Sequence, residues 1–483
     1  MNLSHFHIAT LLFGTLACTA ADTAIVDRYG QYSREEWPGK ITSDGQLRAD
    51  ASREWEKLSS LAPDSARFDR YGGRRDGKVY RATGFFRLEK IDGRWWFITP
   101  EGNRFFLQGV DAVSWRENGY NTPLLNSGGF PRKEFSELPD RTLFPEAYHT
   151  PGKVNFLAAN LKRKYGQDFD RKFRDIARRR LQAWGFNSTA KWGWGETIGL
   201  PYIEDSHAGA VNRIGKNYRA IDMYDPDFAR KVEPAVKAVC DHRRGDPMLI
   251  AYSMENENGW SEELVGLILK EPASCFAKAA FLDFLTRKRN GDFARVAALF
   301  GFPGADRTEL LNAELDITPI PSTEVQEFIN LSSQRYHWIL RELFRKHDPD
   351  HLFMGAAHCP KQSIDWYEGA TRHVDFLGFN IYGLSLGWVE RDMDRLLKAD
   401  TPFAVLEYAF VTESRGYRAY SGNNTVRTQT DRGTGFRIFT EQAALNPLCL
   451  GFGYFIYWDQ PVSRRSLPNG ESHNFGLASQ CDQ

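Results

Sequence analysis

Two short apolar runs in the chain end in glutamates. The run MLIAYSM at 248–254 leads into Glu255, Asn256, Glu257 and Asn258, and the run PFAVL at 402–406 leads into Glu407. A carboxylate that terminates a buried strand is poorly solvated, which raises its pKa. Two of them facing one cavity can divide into a protonated acid and an ionised nucleophile. Retaining glycoside hydrolysis needs that division: one carboxylic acid protonates the leaving oxygen, the other carboxylate attacks the anomeric carbon, and the two lie ~5–5.5 Å apart. Either glutamate alone reads equally well as a paired strand-end ion. Both together, each closing an apolar strand, point to the chemistry.

Such a pair needs a scaffold that brings distant strand ends together. Phe85–Lys90 and Trp95–Thr99 read as a hairpin around Asp92-Gly93. From Phe105 onward, short apolar runs alternate with helical patterns. Strands are expected at 105–113, 185–189, 200–203, 248–254, 351–356, 375–382, 402–407 and 448–457, with helices such as 169–183, 227–241, 324–347 and 432–444 between them. Eight such units predict an α/β fold of the (β/α)8 TIM-barrel type with a short N-terminal arm and β-hairpin, whose catalytic groups sit at the C-terminal strand ends. Strands four and seven then face each other across the mouth. A doubly wound open sheet is the alternative, but Gly109-Val110-Asp111 after the first strand is not a phosphate-binding loop. The expected divisions are a signal peptide at 1–21, an arm and hairpin packing on the barrel at 22–92, and the catalytic barrel at 93–483. The apolar run 8–17, followed by Cys18-Thr-Ala-Ala, reads as an export signal, which implies a secreted or periplasmic protein. Lipidation at Cys18 is the second reading, weakened by Thr15 where such signals carry Leu. No later segment has ~18 consecutive apolar residues, so no membrane span is expected.

Composition narrows the partners. Sixty-two basic residues balance sixty-two acidic ones, which argues against nucleic acid. The 13 Trp, 19 Tyr and 34 Phe fit either a Phe-rich core or aromatic walls for a ligand with flat apolar faces, such as a sugar. Five scattered cysteines beyond Cys18 form no CxxC pair and read as buried thiols. With no HExxH, P-loop or clustered ligands, no metal and no cofactor is implied. Trp192, Trp194 and Trp260 follow strand ends, where stacking on sugar and loop packing are equally good readings. His358, ending strand five, is a candidate contact, although a hydrogen-bonded structural histidine is the commoner case. Arg178–Arg180 reads as a solvated helix face, with Arg180 able to pair at the barrel wall. Asp111 at the end of strand one suits a substrate contact or a turn.

These residues resemble a known group. Asn-Glu ending strand four and Glu ending strand seven is the pattern of clan A glycoside hydrolases, and the chain is most similar to family 50, the β-agarase-like enzymes. The similarity runs through GRWWFITPEGNRFFLQGV at 93–110, RLQAWGFNSTAKW at 180–192, DPMLIAYSMENENGW at 246–260, DPDHLFMGAAH at 348–358, FNIYG at 379–383, PFAVLEYAF at 402–410, and GYFIYWDQP with NGESHNFG near the C-terminus. The resemblance implies Glu257 as acid/base, Glu407 as nucleophile, Asn256 on the sugar hydroxyl beside the reacting carbon, and Tyr382 as donor to Glu407. It implies Asn187 as a sugar contact at the end of strand two, Tyr454 or Tyr457 as a stacking floor, and Glu471 and Asn474 as loop contacts. The implied substrate is a β-linked galactan of agar or carrageenan type. Other clan A activities (β-galactosidase or β-mannanase) and a barrel that binds carbohydrate without cleaving it are the alternatives. Two departures stand out: Glu255 occupies a position where relatives tend to have Asp, and Ala357 one where many have Arg. The sugar's sulfation, endo or exo action and the oligomeric state are not written in the sequence.

Overall fold

The computed structural model describes residues 24–61, 64–207, 211–215, 220–418, 424–468 and 470–483; the expected signal at 1–21, with Cys18, lies outside them. The hairpin forms from β1 (Arg87–Ile91) and β2 (Arg94–Ile98), which pair antiparallel with Ile91 opposite Arg94. Its two-residue turn, Asp92 (φ 50°) and Gly93 (φ 81°), is left-handed at both positions, the geometry that matches strand twist and favours Asp-Gly. A short β3 (Arg104–Phe105) adds a third strand.

The main sheet has seven parallel strands: β4 (Leu107–Val110), β5 (Tyr202–Ser206), β6 (Leu249–Asn256), β7 (Leu352–His358), β8 (Leu377–Asn380), β9 (Phe403–Tyr408) and β10 (Cys449–Tyr454). Their spatial order is β4-β10-β9-β8-β7-β6-β5, so the first strand pairs with the last and the sheet curls. Between β5 and β4 runs the segment expected as strand two. It is not a regular strand, because its backbone turns left-handed at Ala190 (φ 41°) and Trp192 (φ 54°). It is nonetheless bonded on both sides. Asn187 N donates to Gln108 O (2.9 Å) and Val110 N to Ser188 O (3.2 Å). On the other side Thr189 N donates to Pro201 O (3.0 Å) and Ile203 N to Ala190 O (2.9 Å). The sheet strands are almost wholly buried and rich in apolar side chains, as a parallel sheet covered on its outer face requires.

Helices on the outside include α1 (Asp44–Ser59), α2 (Phe156–Tyr165), α3 (Phe169–Ala183), α4 (Phe228–Arg243), α5 (Ser322–His347), α6 (Ile364–Ala370) and α7 (Gln429–Leu445). The insertion after β6 is itself helical and packs on α5. The hairpin closes one end of the sheet interior. Phe97 and Phe105 enter a cluster with Ile203, Ile250, Met354 and Leu450, and Phe97 meets Phe376 edge-on at 5.2 Å. That leaves the opposite end, where the strands terminate, for polar groups. All five cysteines among the described residues are buried and unpaired. Among the described residues no helix is long and apolar enough to cross a membrane.

Helix α1 is fastened to α2 and α3 by buried charge. Arg180 on α3, 2% exposed, pairs with Glu54 of α1 and with Asp482, and Lys164 of α2 lies 2.9 Å from Asp482. Burial alone would raise the Asp482 pKa, but Arg180 and Lys164 outweigh it and hold the carboxyl well below its usual range. Of the three consecutive arginines only Arg178 is fully solvated; Arg180 is the wall pair. Removing one member of a buried ion cluster strands the others. Arg180→Ala is therefore expected to cost about 3–5 kcal/mol in chemical denaturation. A loss below about 1 kcal/mol, no more than an exposed pair contributes, would contradict this role.

Candidate functional site

At the C-terminal strand ends lies a cavity of about 630 Å³ lined by both Glu257 and Glu407. Glu407 stands on β9 and is 4% exposed; Glu257 follows β6 and is half-buried. They meet at Asn380, the last residue of β8. Its amide nitrogen donates to Glu407 Oε1 at 2.7 Å and to Glu257 Oε1 at 3.1 Å. Those two oxygens cannot be farther apart than the sum of the contacts, about 5.8 Å. Tyr382 donates its hydroxyl to Glu407 Oε2 at 2.7 Å. Lys191 reaches Glu407 Oε1 at 3.2 Å and Asn256 Oδ1 at 2.7 Å, and Asn380 also donates to that Asn256 oxygen at 3.1 Å.

The charges are tightly interdependent. Burial pushes the Glu407 pKa up and the Glu257 carboxylate adds to the rise. Lys191 and the Tyr382 hydroxyl pull it down, and the net shift is upward. For Lys191 burial favours the neutral amine, but Glu407, Asp205 and Asp111 together outweigh it and raise its pKa, so it is a buried cation. Asp111 is buried, is pushed well above its usual range by that burial, and accepts from the Lys191 backbone N–H at 2.9 Å. The backbone here is strained: Ala112, Ala190, Trp192, Glu255 and Glu257 all have φ between 41° and 65°. Left-handed non-glycine residues cost ~1–3 kcal/mol each and cluster where surrounding structure dictates side-chain aim. Glu257 is further pinned by its N–H to Ala357 O, 3.0 Å.

Of the residues singled out from sequence, Glu257, Glu407, Asn256, Tyr382, Trp192 and Glu471 line this cavity. Trp192 donates its indole N–H to Asp205 and carries the Lys191 ammonium 4.0 Å from its ring centroid. Glu471 accepts from Gln460 at 2.7 Å and pairs with Arg465 at 3.0 Å. Seven others do not line it. Asn187 sits at the start of its segment, not the end. Its side chain bridges Gln108 N and Phe106 O at 2.9 Å each, standing in for a ladder bond near the hairpin; the segment's cavity end is Lys191. His358 is fully buried among His337, Tyr367 and Phe379, and that burial lowers its pKa to about 3. Trp260 is buried and stacks on Trp366 at 6.1 Å. Tyr454 points outward and accepts from Arg432 at 3.1 Å, and Tyr457 does the same with Arg180 at 3.2 Å. Asn474 is spent on Thr412, accepting from its N–H at 3.0 Å and donating to its hydroxyl at 2.8 Å. Asp111 is fully buried and does not line the cavity; its carboxylate accepts from the Lys191 backbone N–H beneath it.

The aromatic wall consists instead of Trp192, Phe455, Tyr382 and Phe475, each ring within 5.5–6.1 Å of the next. Phe455 takes the inward place, one residue after the outward Tyr454 that ends β10. Asn380 and Lys191 were also missed. The first ends the apolar run LGFN and the second is a lone lysine after STA; a polar residue closing an apolar run was the available signal for both. Glu255 is 1% exposed. Asn258 donates to it, and Arg213 (3.6 Å) and His207 (3.7 Å) lie against it, so its charge is locally compensated. Among the described residues no group of His, Cys, Asp and Glu is placed to hold a metal ion.

No family model matches the chain. β-Agarase B of Vibrio sp. (strain JT0107) is 27% identical over 520 residues, covering 95% of this chain and 52% of that protein. β-Agarase A of the same strain is 24% identical over 512 residues, covering 96% and 51%. The chain thus spans about half the length of the curated relatives it matches. Two solved structures share the fold. The agarase AgWH50C has a TM-score of 0.80 at 24% identity, covering 95% of this chain and 71% of that one. PfGH50B has a TM-score of 0.85 at 23% identity, covering 96% and 73%. In sequence the chain is similar to two β-agarases, and in fold it is similar to AgWH50C and PfGH50B.

Proposed function

We propose that the chain is a retaining glycoside hydrolase that cleaves β-linked galactan of the agar type. The seven strands and the 187–190 segment are taken as the eight staves of a closed (β/α)8 barrel, at 93–483, with the arm and hairpin of 22–92 packed on it. The observation that carries the reading is the single Asn380 amide donating to both Glu257 and Glu407. It keeps two carboxylates of different exposure within about 5.8 Å of each other, which supports a double displacement over the ~6.5–9.5 Å of an inverting pair.

In the first step the Glu407 carboxylate attacks the anomeric carbon while Glu257, open to the cavity, protonates the leaving oxygen. Lys191, Tyr382 and Asn380 keep Glu407 ionised against its burial. Once Glu407 is esterified its charge is gone, and with it the repulsion between the two carboxylates. Glu257, a carboxylate once its proton has gone to the leaving oxygen, takes a proton from water in the second step as the water oxygen attacks the anomeric carbon and displaces Glu407. Asn256, whose carbonyl oxygen is held by Lys191 and Asn380, offers its amide to the neighbouring sugar hydroxyl. The wall of Trp192, Phe455, Tyr382 and Phe475 offers apolar faces to the ring. An insoluble polysaccharide has to be met outside the cell, which fits the apolar run 8–17 read as an export signal.

Glu257→Ala and Glu407→Ala are each expected to lower turnover of agaro-oligosaccharides by about 10³-fold or more with folding retained. The native enzyme is expected to release product with retained anomeric configuration, read by NMR. Full activity in either variant, or an inverted product, refutes the assignment. Lys191→Met removes a cation that lowers the Glu407 pKa, so Glu407 ionises only at higher pH. The acid limb of the kcat/KM profile is expected to move upward in pH; an unmoved limb contradicts the role given to Lys191.

A further inference from the structure

We propose that a groove between α1 and the α2–α3 turn is a second carbohydrate site, one that takes a sulfated segment of galactan. It encloses about 850 Å³ and shares no lining residue with the cavity of Glu257 and Glu407. One side is a face of α1 carrying Asp44, Arg48 and Trp55, which recur at helical spacing. Trp55 is 42% exposed, and Arg179 lies 4.9 Å from its ring centroid, steadying the indole. A large, steadied, solvent-facing aromatic is what the apolar face of a sugar ring stacks on.

The charge in the groove is unbalanced although that of the whole chain is zero. Lys162 and Lys164 are committed to Glu146 and Asp482, and Arg171 to Asp168 and Asp175. Arg48 and Lys172 are exposed and have no ion-pair partner among the described residues; Lys172 only donates to Tyr165 O, at 2.9 Å. On the floor Arg163 is 6% exposed and 4.5 Å from the Phe144 ring; its Nη1 donates to the neutral acceptors Asn160 Oδ1 (2.8 Å) and Arg28 O (3.2 Å), its Nε has no hydrogen-bond partner, and the Asp44 carboxylate is no closer than 3.9 Å. Burial accordingly lowers its pKa. An under-compensated guanidinium on the floor, two unpaired cations at the rim and an exposed indole suit a ligand that alternates sugar faces with anionic groups. That the occupant is a galactan rather than another polyanion rests on the proposed function. The site would hold the polymer while the barrel acts on it, raising the local substrate concentration.

The test is affinity electrophoresis of the full chain through gels containing carrageenan, agarose or DNA, beside the triple variant Arg48→Glu, Trp55→Ala, Lys172→Glu. The native chain is expected to be retarded by carrageenan well beyond agarose and DNA, less so at about 0.5 M salt, where charges are screened. The triple variant is expected to bind about tenfold more weakly, from lost charge and stacking, and to hydrolyse short agaro-oligosaccharides at the native rate. Should it fail to fold, the double variant Arg48→Gln, Lys172→Gln is expected to lose part of the retardation. Retardation unchanged in the folded variants, equal with DNA, or absent in the native chain overturns the site. Loss of oligosaccharide hydrolysis in the native chain would instead overturn the proposed function and leave the retardation result standing.

Discussion

A carboxylate buried at the end of an apolar strand is unstable as an ion unless the protein supplies its counter-charge and its donors. Glu407 has both: the Lys191 ammonium at 3.2 Å, the Tyr382 hydroxyl at 2.7 Å and the Asn380 amide at 2.7 Å. Its pKa still ends above the ordinary value, so the compensation is partial and the group keeps a drive to shed its charge. For the nucleophile we propose it to be, that balance is useful, because esterification neutralises the group. The same amide that holds Glu407 also holds Glu257, so the position of one carboxylate fixes that of the other.

The rest of the fold can be understood as what this arrangement demands. A parallel sheet curled on itself brings the ends of β6, β8 and β9 to one face, although they are distant in the chain. The hairpin fills the opposite end with Phe97 and Phe105, leaving no polar requirement there. Left-handed turns at Ala190, Trp192, Glu255 and Glu257 spend backbone energy to aim side chains inward, and well-packed surroundings hold them there. Helices α1 and α3 are tied through Arg180, Glu54 and Asp482, which anchors the helix preceding the Lys191 segment.

Strand ends were the legible part of the sequence. Apolar runs closing on Glu257, Glu407 and Tyr382 follow from burial alone, and all three reach the cavity. Positions that depend on where a strand begins, stops or twists were not legible. Asn187 opens its segment instead of closing it, and Tyr454 turns outward on the same face of its strand as Phe452, while Tyr457 lies beyond the strand's end and pairs with Arg180. His358, Trp260 and Asn474 failed for another reason: residue type suggested contact with a ligand, but each is absorbed by protein neighbours that lie far off in the chain. Asn380 and Lys191 are polar residues in apolar surroundings whose partners are visible only in three dimensions.

The most direct measurement is covalent trapping. An activated 2-deoxy-2-fluoro galactoside slows release of the glycosyl ester more than its formation, so the ester accumulates and can be mapped by peptide mass spectrometry. One sugar per chain, on the peptide containing Glu407 and at that residue, is the predicted result. A label on Glu257 or Glu255, or none despite turnover of the natural substrate, would contradict the assignment.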